Sequence, residues 1–291
     1  MDYATNIRAI LASYYVGTGG LDIGMVNAIQ GIEGTKNWET IFTRHSSTVC
    51  DAILKVMGAC FENNLKEEVE RTFQETGHRK IAVSFDMGWQ KKGTGHNYDS
   101  NSGHAYFIGC RTGQVIDYLV YSKKCSKCDA AVAMGEEPMA HENCPRNYLT
   151  GSSKAMEASA ALQLLVALHD RGISIEFIVS DDDSTMRATL QHIGTHKNGK
   201  LRLDVLVPTF LCDPSHRIKV MVKDIFVMAL SSDAKCECKK IDALRLKKYI
   251  GCMIAKSKML PFPQFKKLSK APIEHLFGCH EWCSCDWCFA A

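Results

Sequence analysis

The chain has 291 residues, 46% of them apolar and 23% charged, a balance ordinary for a globular protein with room for one large domain or two small ones. The net charge of +3 does not by itself announce a nucleic-acid binder, and the longest apolar-rich run, "ASAALQLLVALH", falls well short of the roughly 20 residues that span a bilayer. The start "MDYATNIRAILASYYVG" has no basic region followed by a clean apolar stretch, so a secretory leader and a membrane span are both excluded from the reading, and a soluble intracellular protein is expected.

Residues 1 to about 78 read as helical. "GTGG" at 17–20 breaks a first helix. "SSTVCDAILKVMGACFENNLKEEVERTFQET" carries Val49, Ile53, Val56, Met57, Cys60 and Phe61 at helical spacing, with Ser46 and Ser47 as N-caps. The pattern then changes. "KIAVSFD" (80–86) is a strand ending in a carboxylate, and "GHAYFIGC" (103–110) and "QVIDYLVYS" (114–122), joined by "RTG", form a hairpin. Residues 123–150 are irregular and rich in Cys, His, Pro and Asn. "SSKAMEASAALQLLVALHDRG" (152–172) is a helix capped by serine and closed by glycine. "SIEFIVS" (174–180) is a strand, "DSTMRATLQHI" (183–193) a helix, and "RLDVLVP" (202–208) a strand. After "CDPSH" the chain is mainly helical to about residue 258.

Three strands in a meander, then two more strands that each follow a helix, give the order of an RNase H-like core with right-handed crossovers. The first and fourth strands of such a core lie side by side. Asp86 then ends the first strand, and the triplet Asp181, Asp182 and Asp183 follows the fourth, 95 residues further on. Neighbouring carboxylates raise each other's pKa unless a cation lies between them. Mg²⁺ or Mn²⁺ suits oxygen ligands and activates a water or a 3′-hydroxyl in phosphodiester chemistry. Asp181 is the first choice as ligand, Asp182 faces solvent, and Asp183 is either a second candidate or the N-cap of the next helix. A strand-end aspartate bonded to loop amides is the alternative for Asp86. Asp213 and His216 in "CDPSH" stand three apart in a turn that starts a helix and are further site candidates, the alternative being an Asp cap with Pro in the first turn.

Cys125 and Cys128 with His141 and Cys144 form C-x2-C-x12-H-x2-C, three thiolates and an imidazole, a closed set for structural Zn²⁺. Burial in a cysteine-rich protein is the alternative. The C-terminal "IEHLFGCHEWCSCDWC" offers more ligands than one zinc needs: His275, Cys279, His280, Cys283, Cys285 and Cys288. His280, Cys283 and Cys288 are the preferred subset, completed by Cys236, Cys238 or His275. Residues 235–270 hold eleven Lys or Arg against Glu237 and Asp242. Lys239, Lys240, Lys247 and Lys248 are therefore candidates to face DNA phosphates, the alternative being a solvated helix face.

Together these stretches resemble the Mutator-like transposase domain over nearly the whole chain. "NIRAILASYYVGTGG" looks like its N-terminal helical segment. "FDMGWQKKG" looks like its D-x-x-W-Q-x-[KR]-G block, and "HENCPRNYLTGSSKAMEA" is similar to its H-x-x-C-x-x-N-[YF]-x-G-S-S-x-x-M-E signature. "SDDDS" stands where the family shows G-D-G-D-S, losing two glycines of a tight turn, "DPSH" resembles the D-x-x-H motif of several transposase superfamilies, and "HLFGCHEWCSCDWC" resembles the family's Cys/His ending. The resemblance implies DDE strand transfer, with Asp86 the first acid and Asp181 or Asp183 the second. Trp89, Gln90 and Lys92 would shape the first-strand exit. The third acid of such enzymes lies on a helix after the insertion, and the chain stops at Ala291 without it; Glu274 and Glu281 lie inside the Cys/His motif and are poor substitutes, while Glu157 could approach the site without matching the DDE position.

The expected fold class is α/β: a helical N-terminal region (1–78), an RNase H-like mixed-sheet core (79–210) with a zinc insertion (123–150), and a basic helical Cys/His insertion (211–291). The expected function is a metal-dependent DNA transposase domain without its last acid, with DNA and further copies of the chain as partners, no membrane, and from the resemblance a nuclear location. The alternatives are a non-catalytic DNA- or protein-binding zinc module and an RNase H-like nuclease.

Overall fold

The computed structural model describes residues 11, 38–91, 100–138, 141–142, 144–149, 151–181, 184–191, 205–230, 239–257, 260–283 and 288. The helix expected before "GTGG" therefore lies outside the described residues, Leu11 apart, and Lys92, Asp182, Asp183, Cys236, Cys238 and Cys285 lie wholly outside. The described residues fall into two compact units, one within Met1–Ile81 and Tyr106–Tyr118, the other within Ala82–Ala105 and Leu119–Ala291.

The elements in chain order are α1 (Trp38–Thr76), β1 (Ile81–Trp89), β2 (Ser102–Gly109), β3 (Val115–Ser122), α2 (Ser126–Ala133), α3 (Ser153–Asp170), β4 (Ile175–Ser180), α4 (Ser184–Gln191), β5 (Thr209–Cys212), α5 (Pro214–Leu230), α6 (Lys240–Lys256), α7 (Phe262–Leu268) and α8 (Ala271–Leu276). The strands form one five-stranded sheet in the order β3-β2-β1-β4-β5. The expected neighbourhood of the first and fourth strands is therefore found. β4 and β5 run parallel, pairing Phe177 with Thr209 and Ser180 with Cys212. No helix among the described residues is long and apolar enough to cross a membrane.

In the first unit, α1 starts well before the expected caps, so Ser46 and Ser47 lie inside it. The Ser46 hydroxyl bonds the Phe42 carbonyl one turn back, which satisfies a serine within a helix. Val49 is buried, but Val56 and Cys60 are exposed. The covered face lies further along, at Leu65, Glu68 and Thr72. Glu68 is fully buried, and its carboxylate accepts from the backbone N–H groups of Arg111 (3.1 Å) and Thr112 (2.8 Å) and from the Thr112 hydroxyl (2.8 Å). It thus binds the tight turn of the β2–β3 hairpin, closed by Gly113 at φ +68°. Gly109 has to be glycine there, because a Cβ would stand 2.3 Å from Glu68 Oε2.

In the second unit, β1 is longer than expected. Gln90 N–H donates to the Ser102 carbonyl (3.3 Å), so pairing with β2 continues past Asp86, which sits inside the strand rather than at its end. The last strand is also corrected. Val205–Pro208 are not strand, and residues 202–204 lie outside the described set; β5 starts directly after Pro208, whose missing N–H cannot join a ladder. The helix α3 behaves as read: Ser152 caps it by accepting from Ala155 N–H (3.1 Å), and Met156, Ala160, Leu164 and Leu168 are buried along it. It packs with α4, which buries Met186 and Leu190. The 123–150 segment, expected to be irregular, contains the short helix α2, and two further helices, α7 and α8, follow residue 258.

Candidate functional site

The first Cys/His group is built from a helix start and a returning loop. Cys125 takes extended dihedrals (φ −148°, ψ 122°) as the N-cap of α2, and Cys128 follows on its first turn. His141 Nε2 stands 3.3 Å from Cys125 Sγ and 3.4 Å from Cys128 Sγ, and Cys128 and Cys144 sulfurs are 3.7 Å apart. All four ligand atoms lie within 4.8 Å of one another. A tetrahedral zinc with sulfur arms of about 2.3 Å sets its sulfurs about 3.8 Å apart, so these separations fit it, whereas a disulfide needs about 2.05 Å. His141 Nδ1 lies 3.2 Å from the Glu142 carbonyl. A carbonyl only accepts, so Nδ1 carries the proton and Nε2 turns its lone pair to the sulfurs, the tautomer a ligand needs. The Cys128 backbone amide, pointing at Cys125, holds that thiol down to about 6, while burial and the neighbouring sulfurs push Cys128 up to about 11. Three sulfurs in one pocket resist ionising together, and a dication among them removes that conflict.

The residues after Cys144 fasten this group to the sheet. Asn147 Nδ2 donates to the Val120 carbonyl (2.8 Å) on β3, and the Tyr148 ring packs against Tyr121 in a tilted pair with centres 5.0 Å apart. Gly151 (φ +110°) could not carry a Cβ, which would stand 2.8 Å from the Tyr148 hydroxyl. Ser152 caps α3, and the Ser153 hydroxyl, buried, reaches the Ser100 carbonyl at 2.9 Å. The Asn147, Tyr148 and Gly151 positions of this stretch are thus packing positions, a role the sequence pattern alone did not reveal, while Ser152 is the cap the sequence indicated.

The second group joins His275, His280, Cys283 and Cys288, again within 4.8 Å. His275 Nδ1 is 3.3 Å from Cys283 Sγ and 3.4 Å from Cys288 Sγ; His280 Nδ1 is 3.2 Å from Cys288 Sγ. Of the three completions open in the sequence, His275 is the one the described residues bring in; Cys279 is exposed and outside the group. His275 comes from α8, and its ring meets Tyr249 of α6 edge-on at 4.3 Å. Burial, then the neighbouring His280, lowers the pKa of His275, which favours the neutral imidazole a ligand needs; burial and the Cys288 sulfur push Cys283 up to about 11.

The carboxylates occupy the sheet. Asp86 is exposed on β1, with Oδ1 accepting from Met87 N–H (2.9 Å). Asp181 directly follows β4, the neighbour of β1, and its Oδ1 lies 3.2 Å from His216 Nδ1. Asp213 is a helix cap, as its alternative reading had it: its Oδ1 accepts from Ser215 N–H (2.7 Å) ahead of α5. Its backbone N–H donates to the Ser180 carbonyl (2.8 Å). Asp182 and Asp183 lie outside the described residues. Glu157 is half-buried on α3. Among the described residues, the two Cys/His groups are the sets of three or more His, Cys, Asp or Glu close enough to hold an ion, and neither Asp86 nor Glu157 belongs to one.

Lys239, Lys247 and Lys248 are exposed on or beside α6, and the Lys240 side chain lies outside the described set. Lys239 N–H bonds Asp242 Oδ2 (2.9 Å). The buried stripe Ala243, Leu246, Ile250 and Met253 leaves the basic residues on the outer face, and α6 packs with α5 and α8.

A family model described as Mutator-like transposase matches residues 2–288. No curated protein and no solved structure matched the chain.

Proposed function

The chain belongs to the Mutator-like transposase family, and from that premise we propose that it is a metal-dependent DNA transposase domain with an RNase H-like core, cleaving a phosphodiester and joining the freed 3′-hydroxyl to target DNA. The observation that carries the reading is the strand order, in which Asp86 on β1 and Asp181 after β4 belong to adjacent strands. Their carboxylate oxygens suit Mg²⁺ or Mn²⁺, and neither side chain is tied up by a cationic lysine or arginine among the ion pairs of the described residues. When bound, such an ion supplies activation of the attacking hydroxyl and neutralisation of charge at the phosphate. Asp86 presents its carboxylate from within a paired strand, and Asp181 from the residue after one, so both are held by backbone that the ladder fixes. Asp183 remains the second candidate for the later acid.

The two Cys/His groups are assigned to structural Zn²⁺, on their thiolate-rich, closed donor sets. Lys239, Lys240, Lys247 and Lys248 are assigned to DNA phosphates, and the organisation into 1–78, 79–210 with its 123–150 insertion, and 211–291 belongs to the same reading, as do a nuclear location and an oligomeric active form. A second reading, a non-catalytic zinc module that binds DNA, is favoured by one observation: both Cys/His groups close to ligand distance, while among the described residues no set of three or more ligands that includes Asp86 or Asp181 does so. The chain, a 3′-hydroxyl donor duplex and a target duplex, incubated with Mg²⁺ or Mn²⁺, separate the readings. Joined product supports the transposase, cleavage without joining supports the nuclease, and salt-sensitive binding with neither supports the zinc module.

A further inference from the structure

We infer that His216 is a positioning residue for Asp181: its Nδ1 stands at Oδ1, 3.2 Å away, and thereby leaves Oδ2 as the oxygen that meets a divalent cation. The inference rests on the proposed cation site of Asp86 and Asp181.

Three linked features deliver this histidine. β4 and β5 are parallel with Ser180 opposite Cys212, so the residues that follow them, Asp181 and Asp213, leave the sheet at the same end. The Asp213 N–H then bonds the Ser180 carbonyl at 2.8 Å, extending the pairing by one step. Asp213 next caps α5 through Ser215 N–H at 2.7 Å, and the Asp213 carbonyl receives Arg217 N–H at 3.0 Å. Pro214, Ser215 and His216 are the first three residues of that helix, so the cap sets where the imidazole stands. The result is the 3.2 Å approach of Nδ1 to Asp181 Oδ1 across 35 residues of sequence.

The pair is not built for stability. Both side chains are well exposed, at 39% and 58%, where an ion pair is screened by water and contributes little. What the contact does is restrict the rotation of a carboxylate that would otherwise turn freely in solvent. Outer partners that orient a metal ligand are worth about 10–100-fold in affinity when removed.

The test is calorimetric titration of Mn²⁺ into the full chain, zinc-loaded, without DNA. The variants are His216→Asn, His216→Gln, His216→Ala, Asp86→Ala and Asp181→Ala, each checked for its melting temperature. The Asn amide nitrogen lies close to where Nδ1 stands, and the Gln amide nitrogen closer to Nε2. Positioning through Nδ1 requires that Ala and Gln weaken Mn²⁺ binding by about 10–100-fold at an unchanged melting temperature, and that Asn recovers most of the loss. Asn binding as weakly as Ala overturns the proposal, because a nitrogen at the Nδ1 position then does not suffice. Wild-type affinity in all three His216 variants, with binding lost in Asp86→Ala and Asp181→Ala, overturns the proposal alone and leaves the cation site standing. Unchanged binding in the two Asp variants removes the cation site itself, and the role of His216 with it. Should His216→Ala fail to fold, the contrast between Asn and Gln still decides.

Discussion

Asn147 is bonded to Ser122 through both its main chain and its side chain: its backbone N–H donates to the Ser122 carbonyl at 3.0 Å, and its Oδ1 accepts from Ser122 N–H at 2.7 Å. With Nδ2 on the Val120 carbonyl, one residue supplies the bonds of a short added strand along the edge strand β3. It does so three residues after Cys144, which ties the first Cys/His group to the sheet.

Asn147→Ala removes two side-chain hydrogen bonds to backbone at a solvent-accessible edge and is expected to cost about 1 kcal/mol by denaturant unfolding. Asn147→Asp is expected to cost more, because a carboxylate can still accept from Ser122 N–H but sets a charge against the Val120 carbonyl. Equal stability of the two variants would contradict this account of the edge.

Glu68 and Gly109 form a second such pair. Glu68→Ala leaves three donors at the hairpin turn without their acceptor and is expected to cost about 3 kcal/mol. Gly109→Ala drives a methyl into the same carboxylate and destabilises by forcing it away. The double variant should lose less than the sum of the two, since each single change breaks the same contact. Strict additivity would show that they act separately.

The zinc assignment predicts two Zn²⁺ per chain by elemental analysis, one for each Cys/His group. Cys125→Ser and His275→Ala should each lower the count by one, and Cys279→Ser should leave it unchanged. A count insensitive to His275 would return the fourth position of the second group to the other cysteines.

Much of this architecture is legible in local spacing. The "RTG" hairpin, the serine-capped α3 and both Cys/His groups each draw on residues close in sequence, where turn geometry, capping and ligand spacing leave a direct mark. What depends on distant partners is not legible in the same way. The extension of β1 past Asp86 comes from pairing with β2, and the burial of Glu68 comes from a turn 44 residues away. The approach of His216 to Asp181 needs the register of two parallel strands before the helix cap can matter. The shift of the last strand to Thr209–Cys212 did have a local signal, Pro208, which cannot donate to a ladder and so marks where pairing can begin.

If the outer face of α6 tracks DNA phosphates, binding should weaken with salt, and Lys247→Ala and Lys248→Ala should each reduce the magnitude of the log–log salt slope by about 1, uniformly across DNA sequences. Fluorescence anisotropy with a labelled duplex at several salt concentrations measures this. A slope unchanged in the double variant would make that face a solvated surface.

The pairing of Asp86 with Asp181 on adjacent strands is tested most directly by nicking of supercoiled plasmid in Mn²⁺, comparing the chain with Asp86→Asn and Asp181→Asn, both of nearly unchanged side-chain size. The account predicts nicking by the unaltered chain that stops when Mn²⁺ is chelated and that falls by at least about 100-fold in each variant. Nicking that persists in both variants, or its absence from the unaltered chain under every divalent cation, would contradict it.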